Sequence, residues 1–132
     1  MLKVLTSPAA RTASRVAATA CLCILIVLSL APAGVMVRTP APKVFEHFLA
    51  YAGTGIFAAF GFARVGRQAV VATVALTAFA GILEYAQRFS PGRESGWDTF
   101  FASGIGAVLG VAVVVFACRR LARSQQAGAL NR

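Results

Sequence analysis

Apolar residues gather in four runs, at 16–35, 44–63, 69–88 and 98–118, and polar or turn-forming residues fall between them. Ala31-Pro32-Ala33-Gly34 and Thr39-Pro40-Ala41-Pro42 mark the first connection, Arg64 to Gln68 the second, and Ser90-Pro91-Gly92-Arg93 through Trp97 the third. Each run approaches the roughly 20 residues that a membrane-crossing helix needs. Lipid forbids open strand edges, so the expectation is an all-α integral membrane bundle of four transmembrane helices. With connections this short, sequential antiparallel packing is the economical arrangement.

Composition strengthens this reading. Of 132 residues 58% are apolar and only 13% charged, whereas a soluble domain is nearer half apolar and one quarter charged. Four spans leave about 50 positions, too few for a separate soluble catalytic domain. The three cysteines, Cys21, Cys23 and Cys118, sit in or beside apolar runs, where they behave as small hydrophobes; no disulfide framework or zinc spacing can be built from them.

Thirteen Lys and Arg stand against four Asp and Glu, a net charge of +9. In a soluble chain that would raise nucleic acid as a partner, but here the basic residues flank apolar runs and do not alternate with aromatic ones, so none is expected. A four-span arrangement places Lys3, Arg11, Arg15, Arg64, Arg67, Arg119, Arg120, Arg123 and Arg132 on one side, and Arg38, Lys43, Arg88 and Arg93 on the other. The more basic side should be cytoplasmic, with a basic N-terminus over 1–15, the transmembrane domain over 16–118 and a basic tail over 119–132. The expected location is a cytoplasmic membrane, with both termini cytoplasmic. A basic start, an apolar stretch and Ala31-Pro32-Ala33 also fit a secretory signal with its cleavage site, and both readings put the segment after Ala33 outside.

All four acids (Glu46, Glu84, Glu94, Asp98) and the single histidine, His47, then share the exterior end. Lys43, His47 and Tyr51 are spaced i, i+4, i+8 and form one stripe descending from the surface, readable either as an anchor, a helix contact and an aromatic belt or as part of a site. Glu84 is a costly carboxylate near the end of the third run, with Gln87 at i+3 and Arg88 at i+4; it suits a functional group or an ion pair with Arg88 or Arg93. Gln87 suits a bridge between helices. Asp98 opens the fourth run as a helix cap or a ligand, and Arg93 in the short loop suits a phosphate or carboxylate. His47 and Glu84 are therefore candidate catalytic residues, and Lys43, Tyr51, Gln87, Arg93 and Asp98 candidate substrate-binding residues. One histidine with two acids is too sparse for a metal site, and no cofactor is expected. Gly104, Gly106 and Gly110, with Gly53 and Gly55, offer small faces for close helix approach.

Taken in order, Lys43-x-x-x-His47-Phe48-x-x-Tyr51, Glu84-x-x-Gln87, Pro91-x-Arg93 and Asp98 leading to Gly106-x-x-x-Gly110 resemble the VanZ-like family of small bacterial membrane proteins over residues 43–110. The first run matches only in being apolar. The family pattern commonly has an Asn shortly after the Asp, where this chain has Ala102 and Ser103. The resemblance implies a polytopic membrane protein whose founding relative is associated with resistance to the glycopeptide teicoplanin, and it supplies no reaction.

Two functions compete. In one, the exterior cluster binds or acts on an anionic lipid-linked cell-envelope component, Arg93 and Lys43 holding phosphate while Glu84 and His47 exchange a proton. In the other, the same groups form an interhelical network in a non-enzymatic scaffold. Membrane lipids are the expected partners, and the sequence leaves a homo-oligomer open. Four spans without a repeat or a broken helix pair argue against a transporter.

Overall fold

The computed structural model describes residues 7–35, 40–62 and 66–130, with side chains to residue 127. Four helices carry the chain: α1 (Pro8–Leu30), α2 (Lys43–Phe62), α3 (Arg67–Gln87) and α4 (Trp97–Leu130). A single 3-10 turn, Ala33–Val35, follows α1. Lys3, Arg38, Arg64 and Arg132 of the charge count lie outside the described residues.

The boundaries differ from the apolar runs for local reasons. α1 begins at Pro8 because the Ser7 side chain accepts the Ala10 N–H at 3.2 Å and Pro8 supplies a preset φ at the first helical position. It stops at Leu30, earlier than residue 35, because Ala31 turns extended ahead of Pro32. α4 runs well past residue 118, through Arg119, Arg120 and Arg123, since no Pro or turn signal interrupts that basic stretch.

The helices alternate in direction. Arg15 of α1 donates from Nε to the Gly61 carbonyl at the end of α2 at 2.9 Å, while at the opposite end the Ala33 N–H bonds the Pro91 carbonyl at 3.3 Å. Sequential packing is not what holds the bundle together. The most extensive interface joins α2 to α4, which run parallel; α1 lies against α2 and α3, and α4 closes on α3. Small residues decide this. A Cβ at Gly106 would lie within 3.0 Å of the Phe48 carbonyl oxygen, one at Gly110 within 3.0 Å of the Ala52 carbonyl oxygen, and one at Gly55 2.9 Å from the Ala107 carbonyl oxygen. The Gly106-x-x-x-Gly110 face thus lets two backbones approach as a bulkier pair could not. Gly53 does not share in it, having nothing within 4 Å.

The outside of the bundle is apolar. Val16, Ile24, Val27, Val70, Ile82, Ile105, Val113 and Phe116 are all exposed, the reverse of what water selects. α1, α3 and the Trp97–Ala127 part of α4 are each long and apolar enough to cross a membrane. α2 has the length but begins with Lys43, Glu46 and His47, and it turns much of its polarity toward its neighbours. The core beneath is built from Ala18 and Leu25 of α1, Tyr51 and Ala58 of α2, Leu76, Ala80 and Leu83 of α3, and Ala107 of α4.

Candidate functional site

A polar layer caps this apolar core at the end where α2 and α4 begin. The α3 stripe Leu76, Ala80, Leu83 continues one turn further to Gln87, and the α1 stripe Ala18, Leu25 continues to Ser29; both Gln87 and Ser29 are buried. From α2 the stripe Lys43, His47, Tyr51 descends into the same region, Tyr51 fully buried and His47 partly so. From α4 come Thr99 and Ser103, each 1% exposed.

Glu84 is tied to the start of α4. Its Oε1 accepts the Gly96 backbone N–H at 2.6 Å and lies 2.8 Å from the Thr99 hydroxyl, which is equally close to the Gly96 carbonyl. Gly96 is the residue before the first turn of α4, so a carboxylate from a neighbouring helix does what the glutamate of a capping box does within one chain segment. A negative charge there also offsets the helix dipole. The hydrogen bonds of Glu84 go to the start of α4 rather than to Arg88, so the alternative of an ion pair with Arg88 is not what holds this carboxylate.

His47 is joined to the same helix. Its Nδ1 lies 3.3 Å from the Ser103 hydroxyl, and Ser103 donates its only proton to the Thr99 carbonyl at 2.8 Å. With that proton committed, a neutral His47 donates from Nδ1 toward Ser103 and keeps a lone pair on Nε2. His47 and Glu84 are therefore linked through Ser103 and Thr99, not by a direct hydrogen bond. The charge of Glu84 acts on both His47 and Tyr51, and those of Lys43 and Arg93 act on His47, so all five groups share one electrostatic environment.

The third connection is a device for closing α1. Ser90-Pro91-Gly92-Arg93 is a turn bonded from the Arg93 N–H to the Ser90 carbonyl at 3.2 Å, with Gly92 at φ +71°, as a proline followed by a left-handed glycine requires. The turn aims Arg93 at the end of α1, where Nε donates to the Ser29 carbonyl at 3.2 Å and an Nη to the Leu28 carbonyl. Ser90 donates to the Leu30 carbonyl at 2.9 Å. Three carbonyls that α1 leaves without internal partners are thus satisfied, two of them by a cation suited to a helix C-terminus. Lys43 Nζ similarly donates to the Glu94 carbonyl and pins the same loop to α2.

Gln87 is the exception. It is 1% exposed, and neither its Nε2 nor its Oε1 has a hydrogen-bond partner among the described residues. The helix bridge expected of this amide is not made. Leaving a buried amide unpaired costs on the order of 1–3 kcal/mol, and native folds seldom carry that cost without a reason.

Of the seven residues singled out by sequence, the structure brings Lys43, His47, Tyr51, Glu84, Gln87 and Arg93 to one end of the bundle. Asp98 is exposed in the first turn of α4, its carboxylate lying over Gly96 and outside the layer. Thr99 escapes the sequence reading and Ser103 enters it only as a departure from the family pattern, although their i, i+4 spacing one turn inside an apolar helix is a readable polar stripe. Among the described residues no group of three His, Cys, Asp or Glu could hold a metal, and the three cysteines are free. Comparison of the chain with known protein families, with curated proteins and with solved structures finds no match.

Proposed function

We propose that the chain is a four-span bacterial membrane protein of VanZ-like type whose exterior polar layer binds the head of an anionic lipid-linked envelope component. Both termini are then cytoplasmic, and the end carrying Arg11, Arg15 and Arg67 faces the cytoplasm. The observation that carries the reading is Gln87, a buried amide with its donor group and its acceptor both unused among the described residues, in the polar layer that also holds His47. Lys43 and Arg93 contribute positive field to this layer, while several of their N–H groups tie loops to helices. Binding, rather than a specified reaction, is the function this arrangement supports best. Ser103, in the Ala102-Ser103 stretch where the family pattern commonly has an asparagine, makes the hydrogen bond to His47. Any effect on teicoplanin susceptibility would follow from the envelope component bound.

A second reading has its own support. The bonds of Glu84 to α4 and of Arg93 to α1 are what an interhelical scaffold needs, so these two residues serve the fold whether or not a ligand binds. Native mass spectrometry of the protein extracted from its own membranes separates the two. A specific anionic lipid retained by wild type and lost from folded Gln87→Met supports binding; no selective lipid on either moves the function to the scaffold.

A further inference from the structure

On the outer side of the bundle, away from Gln87, α3 and α4 enclose a groove of about 320 Å3. Its apolar walls include Gly81, Phe100 and Trp97, with Tyr85 on the α3 side, and it holds one carboxylate, Glu84, and one guanidinium, Arg88. We propose that this groove binds an aminophospholipid, with the lipid phosphate on Arg88, the headgroup ammonium on Glu84 and the first part of an acyl chain against Gly81 and Phe100.

Charge complementarity selects this occupant. Glu84 commits one oxygen to Gly96 and Thr99, and its other oxygen makes no hydrogen bond among the described residues. Arg88 is exposed, lies 5.7 Å over the Tyr85 ring and makes no side-chain hydrogen bond among the described residues, so its N–H groups are available to a ligand. A groove presenting one anion and one cation is matched by a zwitterion with both charges near its polar end. An ethanolamine headgroup offers that pair and three N–H donors to a carboxylate; a choline headgroup has no donor, and a glycerol headgroup has no cation. Position agrees as well. Trp97 and Tyr85 are 73% and 61% exposed at adjoining helix ends, where amphipathic rings settle at the headgroup level. The small Gly81 leaves room over Phe100, since a Cβ there would already lie 3.3 Å from the Phe100 ring.

The inference goes beyond the binding of an envelope component and does not depend on Gln87, although Glu84 borders both regions. Its test is native mass spectrometry of the delipidated full chain in detergent, offered equal amounts of phosphatidylethanolamine, phosphatidylcholine and phosphatidylglycerol. Wild type should retain phosphatidylethanolamine over phosphatidylcholine by about tenfold, the ratio one charge-assisted hydrogen bond supplies. Glu84→Gln keeps an acceptor for Gly96 and Thr99 but should abolish that preference. Arg88→Gln, at an exposed position with little bearing on folding, should lower retention of all three lipids, and Gly81→Leu should fill the groove and remove them. Gln87→Met should leave the preference intact, which separates this site from the interior one. Equal retention of the three lipids by wild type, or a preference that survives Glu84→Gln or Gly81→Leu, would overturn the assignment.

Discussion

Replacing Gln87 by Met should make the isolated protein more stable, an unusual outcome for a change at a fully buried position. The two side chains are similar in length and volume, so the space between α3 and its neighbours is kept and overpacking is avoided. What changes is the amide. Its Nε2 and Oε1 are both buried without a partner among the described residues, and each such group costs roughly 1–3 kcal/mol when water is removed and nothing replaces it. Because Met also fits irregular packing well, the expected gain is about 1–3 kcal/mol, below the sum of two full penalties. Far-UV circular dichroism during unfolding of delipidated protein in mixed micelles reads it as a rise in midpoint at constant slope. The same variant should lose the ligand-dependent part of its stability when native lipid is returned, because a ligand that binds only the folded state stabilises it by mass action. A loss of about 1 kcal/mol or more in the lipid-free variant would refute the reasoning, since it would mean that the amide is satisfied within the protein.

The same contacts have other consequences. Gly110→Ala would force the α2 and α4 backbones apart and should cost about 1–3 kcal/mol, whereas Gly53→Ala, with nothing within 4 Å, should stabilise by about 0.5–1 kcal/mol through helix propensity; paired unfolding curves check both. Glu84→Ala should destabilise by about 1–2 kcal/mol through the lost cap on α4, and Glu84→Gln should recover most of it because an acceptor remains. Arg93→Ala should leave the last turn of α1 open, seen as faster hydrogen exchange near Ala31 with α4 unchanged. Ser103→Ala removes the acceptor for His47 Nδ1–H and should shift the imidazole toward the other tautomer, visible in its nitrogen chemical shifts.

The helices are legible in the sequence because lipid-facing and core positions are both apolar, and runs of that length have few alternatives. The gathering of polar groups at one end is legible too, since the alternation of short connections places Lys43, Glu84 and Arg93 together once four helices are assumed. The partners are not. Spacing suggests Glu84 with Arg88, yet the carboxylate finds the open N–H of Gly96, because an uncapped helix start is a stronger attractor than an exposed guanidinium. The α2 and α4 pairing is hidden for a related reason. Short loops favour sequential neighbours, but the matched small faces of Ala52, Gly55, Gly106 and Gly110 gain more contact by bringing two parallel helices together. Gln87 can be placed on the inner stripe from its spacing to Leu83 and Ala80, while its lack of a partner is a property of three-dimensional packing alone.

The central claim is that the Gln87 amide meets a ligand in the polar layer. Its most direct measurement is the side-chain amide nitrogen and proton resonances of Gln87 in nanodiscs, assigned by their disappearance in Gln87→Met and monitored as lipid extract from the native membrane is added. The chain has only four glutamines, so the signals are few. Binding at the layer predicts a saturable shift of the Gln87 signals while those of Gln125 and Gln126 stay still. Gln87 signals that never move, across extracts that contain every lipid of the membrane, would contradict the account.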